Sequence, residues 1–147
     1  MLFNISHIQF CSLAVDPDAQ KEVEELQSYP NVYNIGQRLR NFSETAAVLS
    51  QVDLLITIDS AVAHLGGALG RPVWLILPSS AEWRWSTFLS RGGSDSPWYT
   101  SVRIFRALAF DDWDPVFVRI GKSLSKFLPD KHSEPAFPQS SEAPEVQ

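Results

Sequence analysis

The chain has 147 residues, 44% of them hydrophobic, with 12 basic against 17 acidic side chains and a formal charge of −5. That length and apolar content support one domain with a genuine core and exclude fibrous and wholly disordered classes. The acidic balance offers no electrostatic footprint for nucleic acid or an anionic membrane, so a bound anion must be held by local groups.

Met1 to Phe10 is partly apolar but has no basic n-region, and no apolar run approaches the ~20 residues of a membrane helix. A cytoplasmic chain with no membrane span is expected. Ile8 to Leu13 is a short apolar run without helical period and predicts a strand; it holds the one cysteine, Cys11, expected to be buried and inert in a reducing compartment. Asp16, Pro17 and Asp18 then introduce a helix over Ala19 to Leu26, with Glu and Lys spaced for a solvated face. Asn31 to Ile35 predicts a second strand, and Ser43 to Leu49, capped by Ser43, a second helix.

Leu54 to Ile58 predicts the third strand, its Leu, Ile and Thr residues suited to burial on both faces. It stops at Asp59 and Ser60 and passes into a helix over Val62 to Leu69, ended by Gly70 at C′ with Pro72 just beyond. Gly66 and Gly67 inside that helix cost about 1 kcal/mol each relative to Ala, which implies close packing against a neighbouring element. Val73 to Leu77 predicts the fourth strand. A long tryptophan-rich connection runs from Glu82 to Thr100, and Val102 to Phe105 predicts a fifth strand near the sheet edge.

Trp113, Val116, Phe117, Ile120, Leu124 and Phe127 recur at helical spacing, with Asp114 and Pro115 as N-cap and N1, so this helix packs back on the sheet. From Pro129 to Gln147 the chain turns to Pro, Ser, Glu and Gln and reads as a disordered tail, leaving 1–128 as the folded part. Strands alternating with helices predict an α/β fold, a Rossmann-like, mostly parallel sheet flanked by helices.

A strand that ends in polar groups beside a helix N-terminus is where such folds bind anions, because free backbone N–H groups and the helix dipole converge there. Ser60 and His64 are four apart and share a helix face, so with Asp59 three polar groups meet at one mouth. Ser60 can cap the helix or donate its hydroxyl to a phosphate, and His64 can donate to a phosphate oxygen or a sugar hydroxyl. Asp59 would repel a pyrophosphate at contact and is better aimed at sugar hydroxyls or neighbouring N–H groups. The plainer alternative stays open: Ser60 an N-cap only, His64 a partly buried helix residue.

Three other motifs fit less well. A dinucleotide fingerprint needs glycines in the strand-to-helix turn, yet Gly66, Gly67 and Gly70 lie at the middle and end of the helix. A nucleophile elbow needs glycine flanking the serine, and a phosphoacceptor aspartate needs an acidic pair at the end of the first strand; neither is present. The run Glu82-Trp83-Arg84-Trp85 puts a cation between aromatics on the same carboxyl edge as Asp59. Arg84 can pair with a phosphate and a tryptophan can stack on a base or sugar, or the loop can simply fold over the core. His7 and His132 are isolated, and no spacing suggests a metal site.

The stretch from Asp53 to Trp74, DLLITIDSAVAHLGGALGRPVW, followed by Glu82-Trp-Arg-Trp85 and Asp95-Ser-Pro-Trp-Tyr99, closely resembles the C-terminal region of family 9 glycosyltransferases, the heptosyltransferase-like enzymes. The Trp-Arg-Trp and Ser-Pro-Trp-Tyr elements look most like the bacterial members attached to tetratricopeptide repeats. The likeness runs from about Ile8 to Leu128. It implies a GT-B architecture, two facing Rossmann-like domains with a nucleotide diphosphate sugar held mainly by the C-terminal one, and no obligatory metal or other cofactor.

Carried over, the family's Asp-Thr/Ser-Gly/Ala-x-x-His motif falls on Asp59, Ser60, Ala61 and His64, which would contact the donor's diphosphate and sugar, with Arg84 beside them. Arg40 and Asn41 match the base-side region more loosely, and Asp16 or Asp18 would accept from ribose hydroxyls. Ala14 stands where repeat-bearing relatives often carry Gln, and Ser60 replaces the commoner Thr while keeping the hydroxyl. The chain begins at what resembles the second strand of the donor domain. The first strand with its basic residue, the acceptor domain and its carboxylate general base are therefore expected outside it, supplied by a missing N-terminal half or a second chain. The resemblance implies sugar transfer to an acceptor it does not identify; a non-catalytic nucleotide-binding or protein-interaction remnant of the same fold is the alternative.

Overall fold

The computed structural model describes residues 3, 5, 7–80, 83–85 and 95–131. Glu82, positions 86–94 of the tryptophan-rich connection, His132 and the rest of the segment to Gln147 lie outside the described residues. The elements are β1 (Phe10–Ser12), α1 (Pro17–Leu26), β2 (Val32–Asn34), α2 (Phe42–Leu49), β3 (Leu55–Ile58), α3 (Ala61–Ala68), β4 (Val73–Leu77), β5 (Val102–Arg106) and α4 (Asp114–Lys131). Single 3-10 turns occupy Gly36–Arg38 and Trp83–Trp85. Every pairing between these strands is parallel, and helices flank them, so the arrangement is the α/β, Rossmann-like one predicted. The last helix carries on past Phe127, which packs against the core, to Lys131.

The strands form two sheets, β1 with β2 and β3 with β4 with β5. Phe10 lies opposite Val32 in the first; Leu55 lies opposite Val73, and Val73 opposite Val102, in the second. This split explains two departures from expectation. β4, paired on both sides, is buried at all five residues, whereas β3 is paired on one side and buries only Leu55, leaving Ile58 64% exposed. Cys11, expected inside, is exposed because β1 also has a single strand partner. Side chains of a neighbouring strand shield a strand's own side chains, and among the described residues neither β1 nor β3 has that cover on its second edge. Partial burial still pushes the Cys11 thiol above its ordinary pKa.

The second sheet carries the core. Along β4 the side chains alternate, Val73, Leu75 and Leu77 joining Leu55, Leu49 of α2 and Ala63 of α3 on one face. Trp74 and Ile76 join Phe105 and the Val116, Ile120, Leu124 row of α4 on the other. That i, i+4 row takes the sheet-facing stripe, so Phe117, although at helical spacing, is 48% exposed. A Cβ on Gly66 would come within 2.9 Å of both Leu55 Cδ2 and Val73 Cγ2, so its bare backbone is what lets α3 lie directly on β3 and β4.

Helix ends follow the sequence with two corrections, the first at α4: it starts at Asp114, and the Trp113 carbonyl accepts from the Phe117 N–H at 3.1 Å, so Trp113 and not Asp114 stands at the N-cap position. Asn41, not Ser43, caps α2: its Oδ1 accepts from the Glu44 N–H at 3.0 Å, and Glu44 Oε2 accepts from the Arg40 N–H at 2.7 Å. Glu44 thus reaches back one residue beyond the cap, a variant of the capping box, and Asn41 is selected because the acidic partner sits three residues after it. Gly70 adopts φ +66° just past α3, the left-handed conformation that ends a helix at little cost for glycine. Among the described residues no helix is long and apolar enough to cross a membrane.

Candidate functional site at the start of helix α3

Asp59 and Ser60 are the whole link between β3 and α3. Ser60 takes the extended N-cap conformation, φ −156° and ψ 167°, and its carbonyl accepts from the Ala63 N–H at 3.1 Å. Its hydroxyl makes no capping bond and lies 3.4 Å from Thr57 Oγ1 instead. Ser60 is thus not a conventional side-chain cap: the first N–H groups of α3 and the Ser60 hydroxyl are presented together at the mouth. Ala61, next in line, is exposed and adds no bulk over it.

His64 sits one turn into α3 with Nε2 4.0 Å from Asp59 Oδ1, and Arg84 approaches from beyond β4 with Nη2 3.9 Å from Asp59 Oδ2. These separations are those of ion pairs, not of formed hydrogen bonds. The three side chains are 27% to 39% exposed, where such pairs contribute about 0–1 kcal/mol. Asp59 therefore gathers two donors at the mouth more than it stabilises the fold.

The aromatic motifs fix those donors. The His64 ring stacks on Trp85, centroids 5.0 Å apart and planes 26° apart, and its Nδ1 lies 3.2 Å from Tyr99 Oη. Trp85 is completely buried. The Tyr99 ring lies on the bare backbone of Gly67, where a Cβ would meet it at 2.6 Å. Trp98 Nε1 donates to the Arg84 carbonyl at 2.7 Å, and Arg106 of β5 donates to the carbonyls of Trp85 and Pro78. Partial burial in that role lowers the Arg106 guanidinium below its ordinary pKa. Ser96 Oγ accepts from the N–H groups of Trp98 and Tyr99 at 3.2 and 3.3 Å, setting the turn that delivers both rings.

Sequence reasoning brought Asp59, Ser60, His64 and Arg84 to one edge, and the structure joins them. It also divides the two tryptophans offered for ligand stacking: Trp85 is in the core against His64, and Trp83 is 67% exposed. Sequence reasoning missed Tyr99, Trp98 and Thr57. Tyr99 is 35 residues from His64, beyond any periodicity, although the glycine at position 67 signalled that something packs there.

The four residues assigned to the base and ribose side stand at the starts of the helices after β1 and β2. Asp16 Oδ1 caps α1, accepting from the Asp18 and Ala19 N–H groups at 2.9 and 3.3 Å. Asp18 pairs with Lys21 at 3.2 Å, and Arg40 and Asn41 belong to the α2 cap. Among the described residues none of their hydrogen bonds or ion pairs reaches the Asp59 cluster. Nor do any three His, Cys, Asp or Glu side chains among the described residues come together to hold a metal ion.

A family model described as glycosyltransferase family 9 (heptosyltransferase) matches residues 8–111, a span that includes the Asp59 cluster and both aromatic motifs. Protein FlbA of Caulobacter vibrioides (strain ATCC 19089 / CIP 103742 / CB 15) is 31% identical over 87 residues, covering 59% of this chain. The match covers 14% of FlbA's length.

Proposed function

The chain belongs to glycosyltransferase family 9 (heptosyltransferase), and on that premise we propose that it is the nucleotide-sugar donor-binding part of a longer glycosyltransferase of the kind attached to tetratricopeptide repeats. The observation that carries this reading is the uncapped Ser60 hydroxyl at the N-terminus of α3, with His64 and Arg84 gathered round the adjacent Asp59. The N–H groups of α3, the Ser60 hydroxyl, His64 Nε2 and the Arg84 guanidinium supply donors of one polarity to one place. Preorganised donors of this kind stabilise the negative charge that builds on a nucleoside diphosphate as it leaves the sugar. No resident metal is needed for that neutralisation. Asp59 gathers the two donor side chains and faces sugar hydroxyls rather than the diphosphate. The single cysteine fits a reducing compartment, and we place the chain in the cytoplasm.

We place the acceptor's general base outside this chain, together with a strand lying between β1 and β3, each of which pairs with one strand among the described residues. The chain alone is therefore expected to bind donor without turnover. Calorimetric titration with ADP, UDP and GDP tests this. At least one should bind, and His64→Ala and Ser60→Ala should each weaken it about tenfold or more, the range for a lost charge-assisted hydrogen bond. No binding by a folded sample, or binding by both variants unchanged from the native chain, would sink the site and favour a non-catalytic interaction module.

A further inference from the structure

We propose that Tyr99 is a positioning residue that fixes His64 as the Nε2–H tautomer and so keeps a hydrogen-bond donor turned toward the diphosphate side of the site; the functional half of this inference rests on the donor-binding reading above. A neutral imidazole has one donor and one acceptor nitrogen, and the partner on one side selects which is which. In His64 the two sides are unlike. Nδ1 faces a phenol oxygen at 3.2 Å, which can either donate or accept. Nε2 faces Asp59 Oδ1 at 4.0 Å, a group that only accepts when ionised. With the proton on Nε2 the N–H dipole points to the carboxylate and the Tyr99 hydroxyl donates to Nδ1. With the proton on Nδ1 an imidazole lone pair faces the carboxylate. The carboxylate therefore favours the first tautomer, and the Tyr99 hydroxyl, taking the donor role toward Nδ1, holds it with a formed hydrogen bond.

The surroundings hold this arrangement rigid. One face of His64 is stacked on the buried Trp85, and the Tyr99 ring meets it edge-on at 66° with centroids 5.9 Å apart. Tyr99 itself is located at three points: its ring on Gly67, its N–H on Ser96 Oγ, its hydroxyl on His64. The turn that delivers Tyr99 also delivers Trp98 to the Arg84 carbonyl at 2.7 Å. One short loop segment thereby holds both the His64 ring and the backbone that carries Arg84.

The test is the Tyr99→Phe variant, which keeps the ring and removes only the hydroxyl. Nitrogen-15 NMR of histidine-labelled protein without ligand reads the tautomer of His64 directly. The native protein should show the Nε2–H form, and Tyr99→Phe should move His64 toward the mixture of a free imidazole; an unchanged spectrum would overturn the proposal. Calorimetry with ADP, UDP and GDP gives the second reading. Tyr99→Phe should weaken binding about three- to tenfold, the size of one hydrogen bond, and should cause no further loss in a His64→Ala background. Equal losses in both backgrounds would refute action through His64. Because the spectrum is taken without nucleotide, a failure of donor binding leaves the tautomer result to be judged separately.

Discussion

Adding a single methyl group at Gly67 sets two effects of known size against each other. Glycine in a helix interior costs about 1 kcal/mol relative to alanine, so propensity alone makes Gly67→Ala stabilising. The new Cβ, however, would stand 2.6, 2.8 and 2.9 Å from Cγ, Cδ2 and Cδ1 of Tyr99, where ordinary contact begins at 3.4 Å. Overpacking of this kind costs about 1–3 kcal/mol. The ring cannot swing clear without surrendering its bond to His64, worth about 1 kcal/mol more. Gly67→Ala should therefore destabilise the chain by about 1–3 kcal/mol in urea unfolding with linear extrapolation. In a Tyr99→Ala background the obstacle is gone and the same change should stabilise by about 1 kcal/mol. Gly66→Ala is the control: its Cβ would meet Leu55 and Val73, not Tyr99, so it should destabilise in both backgrounds. An effect of Gly67→Ala with one sign and size in both backgrounds would refute the packing of Tyr99 on α3.

The two helix starts should respond differently to losing their polar residue. Asn41→Ala, which removes a formed cap, should lower unfolding free energy by about 0.5–2 kcal/mol, whereas Ser60→Ala, which removes none, should change it by less than about 0.5 kcal/mol; comparable losses in urea unfolding would contradict the assigned geometry. Cys11 gives a pH prediction. Its folded pKa is raised, so the native thiol ionises at higher pH than the unfolded one, and stability is lost as pH climbs past the unfolded thiol's pKa. Alkylation by iodoacetamide should accordingly inflect at higher pH in the native chain than in urea, and coincident profiles would refute the raised value.

Much of the local structure was legible in the residues. Val73 to Leu77 occupies its predicted strand without a shift, Gly70 ends α3, and the Val116, Ile120, Leu124 row buries against the sheet, because caps, stops and periodic stripes depend on neighbours within a turn or a pleat. Asp59, Ser60 and His64 could be placed together for the same reason. The fate of Cys11 and Ile58 could not, since their exposure depends on which strand lies beside them. Nor could the role of Tyr99: it meets His64 from 35 residues away through a turn made by Ser96, and a contact between distant segments leaves no period in the chain. Local spacing was enough to bring Asp59, Ser60 and His64 to one mouth at the start of α3. Only long-range packing turns Trp85, Trp98 and Tyr99 from an aromatic loop into the frame that aims its donors, because those contacts exist only once β4, β5 and α3 have come together.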